Sequence, residues 1–361
     1  MAKNIMLEIA SSSFDQKLKQ FCNNFINSNN PKYIFGRNEF AESIARHIHI
    51  DGYIDEYTTE TKYLNKPIVK IDEIPENALV VIAVAIGKPL VAEKKALQHK
   101  LNFIDYYSFL KYSGLELEKI PFWEGFTEDF SSNRTEYENI YNKLSDNESK
   151  KQYQNIINFR LSYNLDFMRS FKAIEDKQYF EPFLDLDKNN ETFVDIGGFD
   201  GYTSLEFTRI YPGYNTVHLF EPEEKNLFTA KRKLQNHKNI NFYKLGLSNT
   251  KQTLKFDTDG SSSKISEDGN IIINVDRLDD IIDSPVSFIK MDIEGAERNA
   301  IEGAENTINK YHPTLAICVY HRFDDFWRIP KLIFSIRNDY NIYLRHYTEG
   351  ISETVMFFIP K

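Results

Sequence analysis

The sequence predicts an α/β protein with two doubly wound sheets joined by a helical connection. Three observations carry the prediction. Apolar strand-like runs alternate with amphipathic helical stretches in two separate parts of the chain, the pattern of parallel sheets whose crossovers are helices. In the second part, residues 193–222 read FVDIGGFDGYTSLEFTRIYPGYNTVHLFEP: a strand stopping on Asp195, a turn through Gly197, Gly198, Asp200 and Gly201, a helix, a second strand, and then Glu221. The last two strand-like runs, 342–346 and 354–359, have no helix between them and so form an antiparallel edge to an otherwise parallel sheet.

At 361 residues the chain exceeds one ordinary core, and two domains are expected. Hydrophobic residues at 41% and charged residues at 27% describe a globular chain, not a low-complexity one. A net charge of -9 argues against a nucleic-acid partner bound through its phosphates. Cys22 and Cys318 stand in apolar runs without metal-ligand spacing, as buried thiols of a reducing compartment do. No basic region followed by an apolar run opens the sequence, and no window reaches the length of a membrane span, so a cytoplasmic location is expected.

Taken in order, Phe14, Leu18, Phe21, Cys22, Phe25 and Ile26 fall on one helical face. A strand at 33–35 enters a turn at Gly36, a helix runs to His47, and a second strand, 52–55, ends on Asp55. Further strand-like runs at 66–69, 79–86 and 103–104, with a helix over 91–101, complete a small Rossmann-like α/β domain assigned to residues 1–115. Gly36 is followed by Arg37 and Asn38, where a dinucleotide site needs a second glycine; side chains there obstruct a pyrophosphate. A scaffold or dimerisation role is therefore expected for this unit, the alternative being that Arg37 or Lys88 holds a phosphorylated or nucleotide-linked sugar. Residues 116–174 read as a helical linker, with helices over 135–144 and 148–171.

The domain assigned to 175–361 begins with the glycine turn. Its spacing, Asp-x-Gly-x-x-x-Gly from Asp195 through Gly197 to Gly201, departs from the dinucleotide pattern and favours S-adenosylmethionine (SAM), which carries no pyrophosphate. Glu221, twenty positions after Gly201, is placed to accept hydrogen bonds from a ribose diol. Pro222 suits the first position of the next helix. Strands follow at 240–245, 286–291 and 314–320, the polar segment with Ser261, Ser262, Ser263, Asp268 and Gly269 reads as a hairpin or loop, and helices lie after Glu294 and near 329–337.

The phrases at 194–201 (VDIGGFDG), 220–222 (FEP) and 289–297 (IKMDIEGAE) together resemble the FkbM family of class I SAM-dependent methyltransferases. The resemblance covers about residues 175 to 361. It implies a seven-stranded Rossmann-like sheet with the last strand antiparallel, SAM as methyl donor, and O-methylation of a hydroxyl, often on a sugar within a glycan, glycolipid or polyketide. Carried over by position, it puts Asp195, Gly197, Gly198, Asp200 and Gly201 around the donor, with Glu221 and Pro222 at the ribose. Leu247 and Ser248 fall at the adenine and Asp292 faces the methyl group.

Methyl transfer to a hydroxyl needs rigid positioning and removal of the hydroxyl proton. His321 follows a strand end beside Tyr320 and is the favoured base, since an ordinary imidazole titrates near neutrality. Asp292 orients it or contacts the sulfonium, and Glu294 stands beside them at a helix start. Tyr320, Asp325, Arg345 and His346 are expected to face the acceptor, a sugar, nucleotide sugar or glycan. Asp292, His321, Asp324 and Asp325 could also ligate a divalent metal, although their spacing matches no defined loop. A homo-oligomer through the N-terminal domain is compatible with the sequence. The competing reading is a non-catalytic protein of glycan assembly, binding a nucleotide sugar or acting as a scaffold.

Overall fold

The computed structural model of the protein describes residues 7–10, 14–257, 264–265 and 271–361; Ser261, Ser262, Ser263, Asp268 and Gly269 lie outside them. Helix α1 (Gln16–Asn27) starts where the Asp15 carboxylate accepts the Lys17 and Leu18 amides. It packs on a sheet built from β1 (Lys32–Phe35), β2 (Gly52–Ile54), β3 (Lys62–Tyr63), β4 (Lys66–Val69), β5 (Leu79–Ile82) and β6 (Asn102–Asp105). Helices α2 (Glu39–His47) and α3 (Pro89–Gln98) connect strands of it, and α4 (Tyr106–Ser113) follows β6. The strand order is β3-β4-β2-β1-β5-β6, parallel except for the β3–β4 hairpin. Apolar residues on both faces, such as Leu79, Val80, Val81 and Ile82, suit a parallel sheet covered on both sides.

The connection folds as α5 (Phe126–Lys143) and α6 (Asn147–Ser162). Helix α5 begins upstream of the expected start because Asn133 (φ -119, ψ 20) breaks the periodicity with a kink inside one helix. Helix α6 stops well short of Phe171 because Tyr163 takes the left-handed conformation (φ 58) and returns its N–H to the Phe159 carbonyl. The loop between the two helices pairs with the edge of the second sheet: the Ser145 amide donates to the Ile342 carbonyl, and Ser145 and Ser149 hydroxyls accept the Ile342 and Leu344 amides. An otherwise open edge is thereby covered.

The second sheet holds β7 (Thr192–Ile196), β8 (Thr216–Phe220) and β9 (Ile240–Tyr243), with α7 (Tyr202–Ile210) and α8 (Glu224–Lys233) between them. A smaller sheet follows from β10 (Gly246–Leu247), β11 (Gln252–Asp257), β12 (Lys264–Ile265) and β13 (Ile271–Asp276), ordered β10-β13-β11-β12. After α9 (Leu278–Ile281) the main sheet resumes with β14 (Phe288–Met291), α10 (Glu297–Glu302), α11 (Glu305–Tyr311), β15 (Thr314–Cys318), α12 (Asp325–Ile336), β16 (Tyr340–His346) and β17 (Thr354–Pro360). Its order is β16-β17-β15-β14-β7-β8-β9, and β17 alone runs against its neighbours. The two final strands pair antiparallel at this end of the sheet, as expected. Strand β17 inserts between β15 and β16, so β16 becomes the edge and runs parallel to the rest. Pro222 also sits outside its expected helix, since α8 opens at Glu224.

Stacked rings of Phe193, Phe207 and Phe288, with centroids 4.4 and 4.9 Å from Phe193, fill one face of this sheet. Such pairs contribute about 0.5–1.5 kcal/mol each beyond their burial. On the other face a continuous apolar cluster extends from Leu7 and Ile34 through Tyr107, Tyr153 and Phe159 to Ile342 and Phe358, so both sheets and the connection share one core. Among the described residues no helix is long and apolar enough to cross a membrane.

Candidate active site

The chain leaves β7 for β8 on one side and later returns to β14 on the other, and the crevice at the carboxyl end of β7 is where doubly wound sheets bind ligands. A cleft of about 810 Å³ opens there. Its floor is the glycine turn. Gly197 has φ +77, and a Cβ on it would stand 1.9 Å from the Asp292 carbonyl oxygen; a Cβ on Gly198 would meet the Leu219 side chain at 2.4 Å. Only bare backbone fits against β14 and β8 at this point. Gly201 serves packing instead, since its Cβ would press on Ala230 of α8 at 2.9 Å.

Glu221 lines the cleft with both oxygens oriented: one accepts the Phe199 amide at 2.9 Å, the other the Glu223 amide at 2.8 Å. Each oxygen keeps a lone pair free for a diol. Burial pushes its carboxyl up, partly offset by those amides. Asp200, Pro222, Leu247 and Ser248 also line the cleft. Asp195 does not. It lies wholly buried beneath the turn, accepting the Ser204 hydroxyl at 2.7 Å and pairing with Lys290 at 3.1 Å. Lys290 in turn donates to the Gly197 carbonyl at 2.6 Å, so the Asp195–Lys290 pair holds the turn from below. Sequence reasoning missed Lys290, and also Leu254, Ile273 and Val275, which the smaller sheet brings to the cleft as an apolar wall.

At the far end the side chains of Asp292, Glu294, Glu297 and His321 converge. His321 Nδ1 is 2.8 Å from Glu297 Oε1, while Nε2 stands 3.5 Å from both Asp292 Oδ1 and Glu294 Oε2. Burial favours the neutral ring, yet the three carboxylates, Glu297 foremost, push the His321 pKa up to about 10. Carboxylates so placed favour the charged ring, while Glu297 at Nδ1 leaves Nε2 turned towards Asp292 and Glu294. Glu294 behaves oppositely: burial raises its carboxyl to about 7. Asp292 Oδ2 accepts the Tyr179 hydroxyl at 2.7 Å. Glu353 accepts from Tyr320 at 3.1 Å and from Gln178 at 2.6 Å, and burial raises it to about 7. Gln178, Tyr179 and Glu353 lie in irregular segments, where periodicity carries no signal.

A second cleft, of about 800 Å³, lies on the other side of this group. It is walled by Arg46, the segment 116–124, His321 and Arg322, and it shares Glu294 and Ala296 with the first cleft. Left-handed backbone in non-glycine residues collects around both: Phe122 (φ 65), Tyr179 (φ 73), Phe199 (φ 43), Glu294 (φ 55) and Glu353 (φ 63) all line one or the other. Such conformations persist where the surroundings over-determine them, commonly at functional sites.

Other expected residues are placed elsewhere. Asp325 and Asp324 are tied to Arg298, and Asp325 also accepts the Arg322 amide at 2.9 Å, so neither is free for a metal or an acceptor. Arg345 pairs with Asp146 at 2.7 Å, and His346 is buried against Thr354, because inserted β17 carries β16 away from the cleft and against α6. Asp292, Glu297 and His321 present ligand atoms within 4.8 Å of one another, the one such group of three among the described residues. In the N-terminal unit, Arg37 is neutralised by Asp55 and Glu60, and the start of α3 is capped by Glu349, whose carboxylate accepts the Val91 amide at 3.0 Å.

Residues 195–341 match the family model of the methyltransferase FkbM domain. Over that stretch the chain is similar to FkbM methyltransferase domains. The crystal structure of methyltransferase FkbM from Methylobacillus flagellatus KT superposes with a TM-score of 0.77 at 22% identity, covering 96% of this chain and 94% of that one. The shared architecture thus extends through the N-terminal unit and the connection. An rRNA methylase from Streptococcus thermophilus matches at a TM-score of 0.32 and 14% identity over 56% of this chain and 95% of that one, too distant to carry an argument. No curated protein matches the chain by sequence.

Proposed function

We propose that the protein is a SAM-dependent O-methyltransferase acting on a sugar hydroxyl in the assembly of a surface glycan or polysaccharide. One observation carries the donor assignment: Glu221, aligned by two backbone amides, faces a cleft floored by glycines that admit no side chain. A ribose diol satisfies the free lone pairs of Glu221, Leu247 and Ser248 flank the adenine, and the sulfonium points to Asp292. SAM supplies the methyl group; the chain positions it and excludes competing geometry.

The acceptor enters from the second cleft. Glu294 is the titratable side chain shared by both clefts, so it stands where an acceptor hydroxyl meets the methyl carbon. The Asp292–Glu294–His321 group receives the acceptor hydroxyl and eases the departure of its proton, a contribution of about 100-fold or more. The cleft mixes Arg46, Lys119, Arg322, several glutamates and the Phe122 ring, a lining suited to a polar, partly charged sugar. The competing nucleotide-sugar-binding reading calls on Arg37 or Lys88, and Arg37 is already neutralised by Asp55 and Glu60.

Incubation with isotopically labelled SAM and a panel of nucleotide sugars and glycans tests the proposal. A mass gain of one methyl group, stable to mild base, on a sugar hydroxyl is expected. Label appearing only on carboxyl or amino groups would contradict it.

A further inference from the structure

We infer that His321, Asp292 and Glu294 form the protein side of a divalent-cation site, with Glu297 orienting the imidazole. Glu297 Oε1 accepts the Ile293 amide at 3.0 Å and lies 2.8 Å from His321 Nδ1. Nδ1 therefore donates to Glu297, and Nε2 faces the opposite way. A carboxylate behind a histidine in this manner fixes the ring and raises the basicity of its second nitrogen towards a metal.

Nε2 is the second observation. The His321 side chain is 0% exposed, and Nε2 has no hydrogen-bond partner. It aims between Asp292 Oδ1 and Glu294 Oε2, each 3.5 Å away. That separation is too long for a hydrogen bond, which closes at about 2.7–3.2 Å. It matches instead the edge of a coordination polyhedron: bonds of about 2.1 Å give edges of roughly 3.0 Å in octahedral and 3.4 Å in tetrahedral geometry. The Tyr179 hydroxyl occupies Asp292 Oδ2 and so turns Oδ1 towards Nε2. Asp292 and Glu294 keep 24% and 35% of their side-chain surface exposed, which leaves open positions for water or an acceptor oxygen.

One imidazole and two carboxylates make a donor set of intermediate hardness, suited to Mn2+ or a similar first-row ion. The functional part of the inference rests on the methyltransferase reading. An acceptor hydroxyl bound to the cation becomes more acidic. Its O–H bond breaks with the proton leaving to water in the second cleft, the O–CH3 bond forms as the S–CH3 bond breaks, and S-adenosylhomocysteine departs.

The test uses full-length, tag-free protein, stripped with EDTA, desalted and titrated with Mn2+ while the electron paramagnetic resonance signal of free Mn2+ is followed. One Mn2+ per chain is expected. His321→Ala and Asp292→Asn should weaken binding at least about tenfold, and Glu297→Gln by roughly 10–100-fold. Asp324→Asn, which touches Arg298 and not the site, should bind as the parent does. Should His321→Ala fail to fold by circular dichroism, the more exposed Glu294→Gln takes its place. No saturable binding of Mn2+, Mg2+ or Zn2+ below millimolar, or unchanged affinity in the folded variants, overturns the inference. SAM titration of the same sample keeps the two readings apart: SAM binding without cation binding removes the cation site and leaves the methyltransferase reading standing.

Discussion

At the scale of single residues, the first cleft depends on what is absent at Gly197 as much as on what is present at Glu221. Gly197→Ala places a methyl group inside the contact distance of the Asp292 carbonyl and forces a left-handed alanine. It should cost about 2–3 kcal/mol, read as a lower urea midpoint, with SAM affinity lost in parallel. Glu294→Gln should leave SAM affinity within about twofold of the parent and cut turnover by roughly 100-fold, measured under saturating SAM. The sequence made Gly197, Glu221, Ser248, Asp292, Glu294 and His321 legible because each ends a strand or sits in the turn after one. It misplaced Asp195, whose neighbour in space, Lys290, is a strand residue indistinguishable in a linear reading from any other. The Glu297–His321 contact was equally hidden, since the two residues stand 24 positions apart in the chain.

At the scale of elements, boundaries failed where one residue changes the backbone course. Tyr163 ends α6 and Asn133 kinks α5, and neither is a glycine or proline that would announce the break. The position of β17 was unreadable for a different reason: antiparallel pairing follows from the missing helix, but which neighbour a strand inserts beside is a tertiary choice. That choice strands Arg345 and His346 on the far side of β17. Buried His346 has its pKa pushed down to about 3, chiefly by desolvation. A histidine depressed in the folded state costs stability as pH falls below its unfolded value near 6.5, because the unfolded chain takes up the proton first. His346→Gln should therefore flatten the loss of stability between pH 7 and pH 5, seen as a smaller shift in urea midpoint. Helix α3 offers a second case. Its N-terminus has no side-chain cap of its own and relies on Glu349. Glu349→Ala should cost about 1 kcal/mol in urea unfolding.

At the scale of the whole molecule, the sheet order follows from the strand and helix rhythm, yet the sharing of one apolar core by both sheets and the connection does not. That sharing predicts cooperative melting: near- and far-ultraviolet circular dichroism should trace one transition, and two separated transitions would argue for independent units. It also brings the N-terminal unit up to the second cleft. Arg46 and residues 116–124 supply one wall of the second cleft from outside the matched stretch 195–341. The central claim is that the glycine turn and Glu221 hold SAM. Calorimetric titration of SAM into the parent and into Glu221→Ala tests it most directly. The account predicts binding by the parent and at least a tenfold weaker affinity in the variant; equal affinity in both would contradict it.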